Sequence, residues 1–331
     1  MEDAHIGLLK VPSLREVSVG DPSSSTLSED VGGLDRDLLQ EASLFAVFDG
    51  HGGREVAHFC RDRVPLELAA SKEMQLGDWR DGFTALYHRM DTALVDDRVP
   101  CTNTGCTAVT VLVDVRRAKV YVAHAGDSRA LLCRAGRPIA LTRDHKPLLA
   151  GERARINAAG GYVTRAGRVN DNLNLSRAIG DLAYKRNQLR ALKDQIISAE
   201  PDLCSFWLKA GEDEFLLLGC DGVFEMMSNA QVVGFVRARI QAGVPLRTIC
   251  EQLLDACLSP EPRSTRYAGC DNMTAVIVRF KGDADWAERP ERRNSGPDPQ
   301  ALPQGGAEEK EEEDRQPPGL GNRMWGVSAL S

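Results

Sequence analysis

Ser-Leu-Phe-Ala-Val-Phe-Asp-Gly-His-Gly-Gly, residues 43–53, is the stretch on which the reading of this chain turns. Leu44, Phe45, Ala46, Val47 and Phe48 make a short apolar run of strand-forming residues, which predicts a buried strand. Asp49 stands where that strand leaves the core. Gly50, Gly52 and Gly53 then remove the side chains that would keep a metal, a water or a phosphate from the backbone. Alone, these residues fit equally a strand followed by a glycine turn, with Asp49 capping a helix and His51 at the surface. Two related arrangements downstream favour a site. The largely apolar run 215–220 ends on Asp221-Gly222, and Asp271-Asn272 closely precedes the apolar run 275–278. Three aspartates at strand ends are a candidate cage for hard divalent cations, which take oxygen ligands.

Seven blocks then occur in a fixed order: MEDAH (1–5), FAVFDGHGG (45–53), TGCTAV (104–109), AHAGDSRA (123–130), LNLSRAIGD (173–181), CDGVFE (220–225) and DNMTAV (271–276). In these blocks the chain resembles the metal-dependent protein serine/threonine phosphatases of type 2C, from residue 1 to about residue 280. The resemblance implies an enzyme that hydrolyses phosphoserine and phosphothreonine in phosphorylated protein substrates, using a water activated by two Mg2+ or Mn2+ ions, with a weaker third ion beside them. It implies that Asp49 bridges both metals and that the Gly50 carbonyl and Asp221 or Asp271 complete the protein's ligands. Glu2 and Asp3 match an acidic pair that orients metal-held waters, and Asp127 matches a ligand of the third ion. Two such ions about 3.5–4 Å apart acidify a water and neutralise the phosphoryl group. His51 becomes the general acid that protonates the departing serine or threonine oxygen, a task suited to a free pKa of about 6.5. Arg177 and Asp181 fall in a segment beside the active site, next to a flap that shapes substrate access. His124 reads as a strand residue with no part in the chemistry.

The start of the chain departs from the family pattern. There the acidic pair lies on a strand preceded by further residues, including an arginine that binds the substrate phosphate, whereas here Glu2-Asp3 follows Met1 directly. The upstream strand and its arginine are therefore expected to be missing. An alternative reading follows, in which the chain is a catalytically weak or inactive phosphatase-like module that binds phosphoproteins.

Composition narrows the remaining choices. The chain has 331 residues, 42% hydrophobic and 27% charged, enough to bury a substantial core. Its formal net charge is −7, and residues 283–331 carry 11 acidic against 6 basic residues, so no basic surface for nucleic acid is implied. That charge argues against a two-metal nuclease. Nine cysteines are scattered without paired metal-finger spacing or the density of a secreted disulfide scaffold, as expected for reduced core thiols. Cys257 and Arg263 have the spacing of a thiol-based phosphatase loop, but Pro260 and Pro262 between them donate no N–H to a phosphate. A nucleotide-binding Gly-Lys-Ser/Thr loop is absent. With Glu2 where myristoylation needs glycine, and no signal or membrane-spanning stretch, the expectation is a cytoplasmic or nuclear monomer without membrane partners.

Periodicity gives the outline of the fold. A short strand is expected at 6–11, an insertion at about 12–43, helices after Gly53 and over 79–94, and strands at 109–113, 119–123 and 129–133. Residues 143–147, Arg-Asp-His-Lys-Pro, read as a solvated loop before a helix that Gly160-Gly161 ends. Ser228 with Gln231 signals a capping box, and Pro245 opens a last helix over 246–257. Strands in two groups with helices around them indicate an α+β fold. The resemblance sharpens this to a central sandwich of two antiparallel β-sheets flanked on both faces by α-helices, a four-layer αββα domain over 1–282. Residues 283–331, rich in Pro, Gly and Glu, are expected to be a disordered tail.

Overall fold

Strand β2 (Ala42–Phe48) is buried along its whole length, and successive side chains on a strand face opposite ways. Phe45 and Val47 enter one apolar layer with Val109, Val111, Val122, Leu216 and Val276, whereas Leu44, Ala46 and Phe48 enter another with Val56, Leu68, Phe83 and Leu86. A strand apolar at every position needs a covering layer on each side. Here a second sheet supplies one and helices the other.

The computed structural model describes residues 1–11, 42–258, 269–280 and the backbone of 326–330. The first sheet runs β1 (Ala4–Leu8), β2, β5 (Ala108–Asp114), β6 (Lys119–Ala125) and β10 (Asp202–Trp207), all antiparallel. The second runs β13 (Gly326–Leu330), β12 (Ala275–Arg279), β11 (Asp213–Gly219), β7 (Arg129–Arg134) and β8 (Arg137–Ala140). Helices α1 (Glu55–Ala70) and α3 (Trp79–Asp96), with the single turn α2 (Lys72–Gln75), cover the first sheet through Cys60, Val64, Met74, Tyr87, Met90 and Leu94. Helices α6 (Asn229–Gln241) and α7 (Leu246–Cys257) cover the second through Val232, Val236, Ile249 and Leu253. The four layers are those expected. A third, small sheet of β3 (Gly50–His51), β4 (Gly105–Cys106) and β9 (Ile179–Gly180) lies across one end.

Local chemistry explains the boundaries. Ala135 and Gly136, both at positive φ (49° and 81°), form the two-residue hairpin between β7 and β8 whose twist matches that of the strands. Ser228 and Gln231 make the reciprocal capping box that starts α6. Pro245 stands at the N-cap of α7, where its missing N–H costs nothing. Helix α4 (Ala150–Ala158) ends before Gly160, at φ 97°.

Three expectations are corrected. The first strand spans Ala4–Leu8, not 6–11, because its register against β2 runs from Ala4↔Phe48 to Leu8↔Leu44 and leaves Leu9 exposed. The insertion cannot reach residue 43: Ala42 and Ser43 belong to β2 and pair with Asp114 and Val113. The rest of it, 12–41, lies outside the described residues. Residues 326–330, expected to continue a disordered tail, form β13 and pair antiparallel with β12 from Ala275↔Leu330 to Arg279↔Gly326. The reason is the free edge of β12, whose unpaired N–H and C=O groups accept a strand from the same chain. Residues 281–325 of that tail lie outside the described residues.

Strand β13 also lies against β1. Ending the chain at residue 325 is therefore expected to lower the melting temperature by several degrees, measured calorimetrically. An unchanged melting temperature would show that this edge strand adds nothing to the fold.

Candidate functional site

Register decides which carboxylates meet. Ala4 pairs with Phe48, so the residues that flank these strands at the same end, Asp3 and Asp49, face each other. Gly219 pairs with Ala275 and with Arg129, which brings Asp221, the segment 271–274 and the turn holding Asp127 to that end as well. Asp221 opens the short helix α5 (Asp221–Phe224). Asp3 and Asp127 are each 2% exposed. Asp271 is exposed, accepts a hydrogen bond from the N–H of Asn272 (2.7 Å), and acts on Asp3 and Asp221 through its charge.

Like charges held this close, away from water, favour protonation. Burial pushes Asp49 well above the usual carboxylate range, and the charges of Asp221, Asp3 and Asp127 push it further. Burial and the charge of Asp127 lift Asp221 to about 7. Burial also raises Asp3, against a hydrogen bond of 2.8 Å donated by Thr274 Oγ1 to its Oδ2. Its other oxygen, Oδ1, is buried without a partner among the described residues. No three His, Cys, Asp or Glu side chains among the described residues converge into a ready-made cage. The donor chemistry nevertheless fits a hard divalent cation: all oxygen, largely buried, short of positive charge, with Asp3 Oδ1 unpartnered.

The glycines of 50–53 serve the chain itself. A Cβ on Gly50 would stand 2.4 Å from the carbonyl oxygen of Glu2, and one on Gly52, at φ 71°, would stand 2.5 Å from that of Asn103. Close backbone approach, rather than access for a ligand, requires glycine at these two positions. The backbone N–H of Glu2 donates to Asn272 Oδ1 (2.7 Å), which ties the start of the chain to the loop before β12.

His51 stands in β3, and its Nε2 lies 2.6 Å from Asp181 Oδ2. Burial lowers the affinity of the ring for a proton, but Asp181 more than offsets this, and the net shift is upward. Asp181 adopts a left-handed conformation (φ 51°, ψ 41°), uncommon for a residue with a Cβ, held by its N–H bonded to Thr104 O (2.9 Å). Gly105 makes the pair possible, since a Cβ there would lie 2.4 Å from Asp181 Oδ2 and 2.8 Å from His51 Nε2.

Of the residues expected to act here, Asp3, Asp49, Asp127, Asp221 and His51 come together, with Asp271 at the rim and Asp181 paired to His51. Arg177 does not join them. Its guanidinium is held by Glu152 (Nη2–Oε1 2.8 Å), Asp202 (Nη1–Oδ1 2.9 Å) and Glu200 O, in a network that includes Ser176. His124 is buried in β6, stacked on His145 with ring centroids 4.4 Å apart. The loop 143–147 is not simply solvated: Lys146 pairs with Asp127. Thr107 also went unread, although its Oγ1 accepts from Asp49 N–H (3.2 Å) and bonds Ser128 Oγ (2.7 Å). Only its place in the TGCTAV block distinguished it in the sequence.

Residues 17–265 match the family model described as Protein phosphatase 2C. The chain is similar to a protein phosphatase 2C homolog 2 of Schizosaccharomyces pombe, 40% identical over 308 residues that cover 92% of this chain and 76% of that protein. It is 41% identical over 261 residues to a probable protein phosphatase 2C 2 of Paramecium tetraurelia, covering 74% and 85% of the two chains. Among solved structures, a phosphatase from Toxoplasma gondii superposes with a TM-score of 0.63 at 23% identity, over 85% of this chain and 93% of that one, a likeness of fold.

The raised Asp221 makes stability depend on pH. Without metal, the folded chain keeps this proton up to about pH 7, whereas the unfolded chain releases it near its ordinary 3.8. The stability Asp221 contributes is thus full below pH 4 and lost as pH rises toward 7. In chelator, unfolding of Asp221→Asn is expected to show a shallower loss of stability over that range than the natural chain. Identical pH profiles would show that Asp221 ionises normally.

Proposed function

Because the chain belongs to the protein phosphatase 2C family of serine/threonine phosphatases, we propose that it hydrolyses phosphoserine and phosphothreonine esters in proteins at the end of the sandwich where Asp49 and His51 emerge, with Mg2+ or Mn2+ as the cofactor. The supporting observation is the buried group of Asp3, Asp49 and Asp221, whose protonation is favoured by burial and by the like charges of neighbouring carboxylates. In this reading Asp49, the Gly50 carbonyl, Asp221 and Asp271 hold two ions, Glu2 and Asp3 orient the waters around them, and Asp127 serves a weaker third. When bound, the ions supply Lewis acidity that acidifies a water and neutralises charge on the phosphoryl group.

The chain's own residues do the remaining work. Asp181 accepts the Nε2–H of His51, which fixes the ring's orientation and leaves Nδ1 to carry the transferable proton. His51 Nδ1–H then protonates the serine or threonine oxygen as it leaves, and Asp181, by raising the proton affinity of the ring, favours the charged form that this step needs. Asp181 is in this account a positioning residue, reassigned from the flap to the general acid.

Hydrolysis of a phosphothreonine peptide is expected with Mn2+ or Mg2+ and is expected to vanish in chelator, because an all-oxygen ligand set retains these ions weakly. Full turnover in chelator would sink the two-metal reading, and peptide binding without turnover under any metal would select the phosphoprotein-binding module. His51→Gln is expected to lose about 100-fold or more on an alkyl phosphoserine peptide and far less on an aryl phosphate whose leaving group needs no proton. Equal losses on the two substrates would remove His51 from the acid role.

A further inference from the structure

We propose that Lys146 is a built-in counter-cation for Asp127, which it holds until a divalent ion displaces it, so that this lysine sets how weakly the ion at Asp127 binds. This inference rests on the metal-dependent reading above and concerns a residue that reading leaves without a role. Among the described residues, Lys146 is the one cation in an ion pair with any of Asp3, Asp49, Asp127, Asp221 and Asp271. Arg129 is near enough to feel Asp127 and Asp221, but its guanidinium is bound to Asp144 (2.7 and 2.9 Å) and to Asn229 (3.1 Å).

The pairing is built into the backbone. The N–H of His145 donates to Gly126 O (2.8 Å), and the N–H of Gly126 donates to His145 Nδ1 (3.1 Å). His145 O in turn accepts from Ser176 N–H (2.9 Å). Lys146 and Asp127, each the next residue along, are thereby stitched to one another's loops, and the ammonium is tethered beside its carboxylate instead of arriving from solution. An ion from solution must compete with that tethered charge at every encounter.

The two side chains differ in a way that permits exchange. Asp127 is 2% exposed in its side chain and stays in place, whereas Lys146 is 37% exposed and has a path to water along a flexible stem. Loss of the pair leaves Asp127 a buried charge without a partner, which a divalent cation would satisfy with twice the charge. The lysine therefore keeps the metal-free chain from carrying that uncompensated charge, and lowers affinity for the ion that replaces it.

Calorimetric titration with Mn2+ separates this role from a purely structural one. In the full chain, Lys146→Met is expected to tighten the weakest class of Mn2+ sites by about tenfold, Lys146→Arg to leave it near the natural value, and Lys146→Met combined with Asp127→Asn to abolish the gain. Lys146→Gln, which can still hydrogen-bond Asp127, serves if the methionine variant does not fold and is expected to tighten the same sites. Unchanged or weaker Mn2+ binding in the neutral variants overturns the proposal, as does an equal gain when Asp127 is also replaced. Absence of Mn2+ binding in every chain, the natural one included, would overturn the metal reading and this inference together, whereas binding in all chains without a Lys146 effect overturns this inference alone.

Discussion

Negative charge held where water is scarce is the constraint around which the rest is arranged. Strand registers deliver Asp3, Asp49, Asp127 and Asp221 to one end of the sandwich. No strand can slip to relieve the repulsion, because a one-residue shift would turn every buried side chain to the wrong layer. The core therefore holds the carboxylates together at a cost that protons, Lys146 or a divalent ion can offset. A site built this way is assembled by long-range packing, and its own charge is unbalanced.

The side of the site that holds His51 is organised separately, through the small sheet. Asp91 on α3 accepts from the N–H of Gly180 (2.8 Å) and from Lys185 (2.6 Å), which brackets Asp181 on both sides. Asp181, in its left-handed conformation, lies between these two contacts with the helix layer, and the lack of a Cβ at Gly105 leaves room for its carboxylate against His51. The histidine is oriented from the helix side and the carboxylates from the strand side. The two meet at Asp49-Gly50-His51, where β2 passes into β3.

The edge of the second sheet connects the ends of the described chain to the site. Strand β13 adds to β12 and lies against β1, the strand that carries Asp3 toward Asp49. Glu2 N–H and Asp3 are both bonded to the residues just before β12, through Asn272 Oδ1 and Thr274 Oγ1. Stability at this edge and the placement of the acidic pair are accordingly linked through shared backbone.

Much of this was legible in the residues. The continuous apolar run before Asp49 dictated a strand buried on both faces, and the changes of period along the chain marked the other strands and the helices, because burial imposes a period of two or about three and a half on the side chains themselves. The block DGHGG and its companions pointed to Asp49, Asp221, Asp127 and His51 through their resemblance to the phosphatase family. Tertiary structure alone decided the pairings. That Asp181 serves His51, that Arg177 is occupied by Glu152 and Asp202, that Lys146 faces Asp127 and that residues 326–330 close a sheet all depend on contacts between segments distant in sequence. A charged residue carries no mark of its partner, and an edge strand of five residues has too short a pattern to declare itself. Only the packing of two sheets and two helix layers brings such groups within reach of each other.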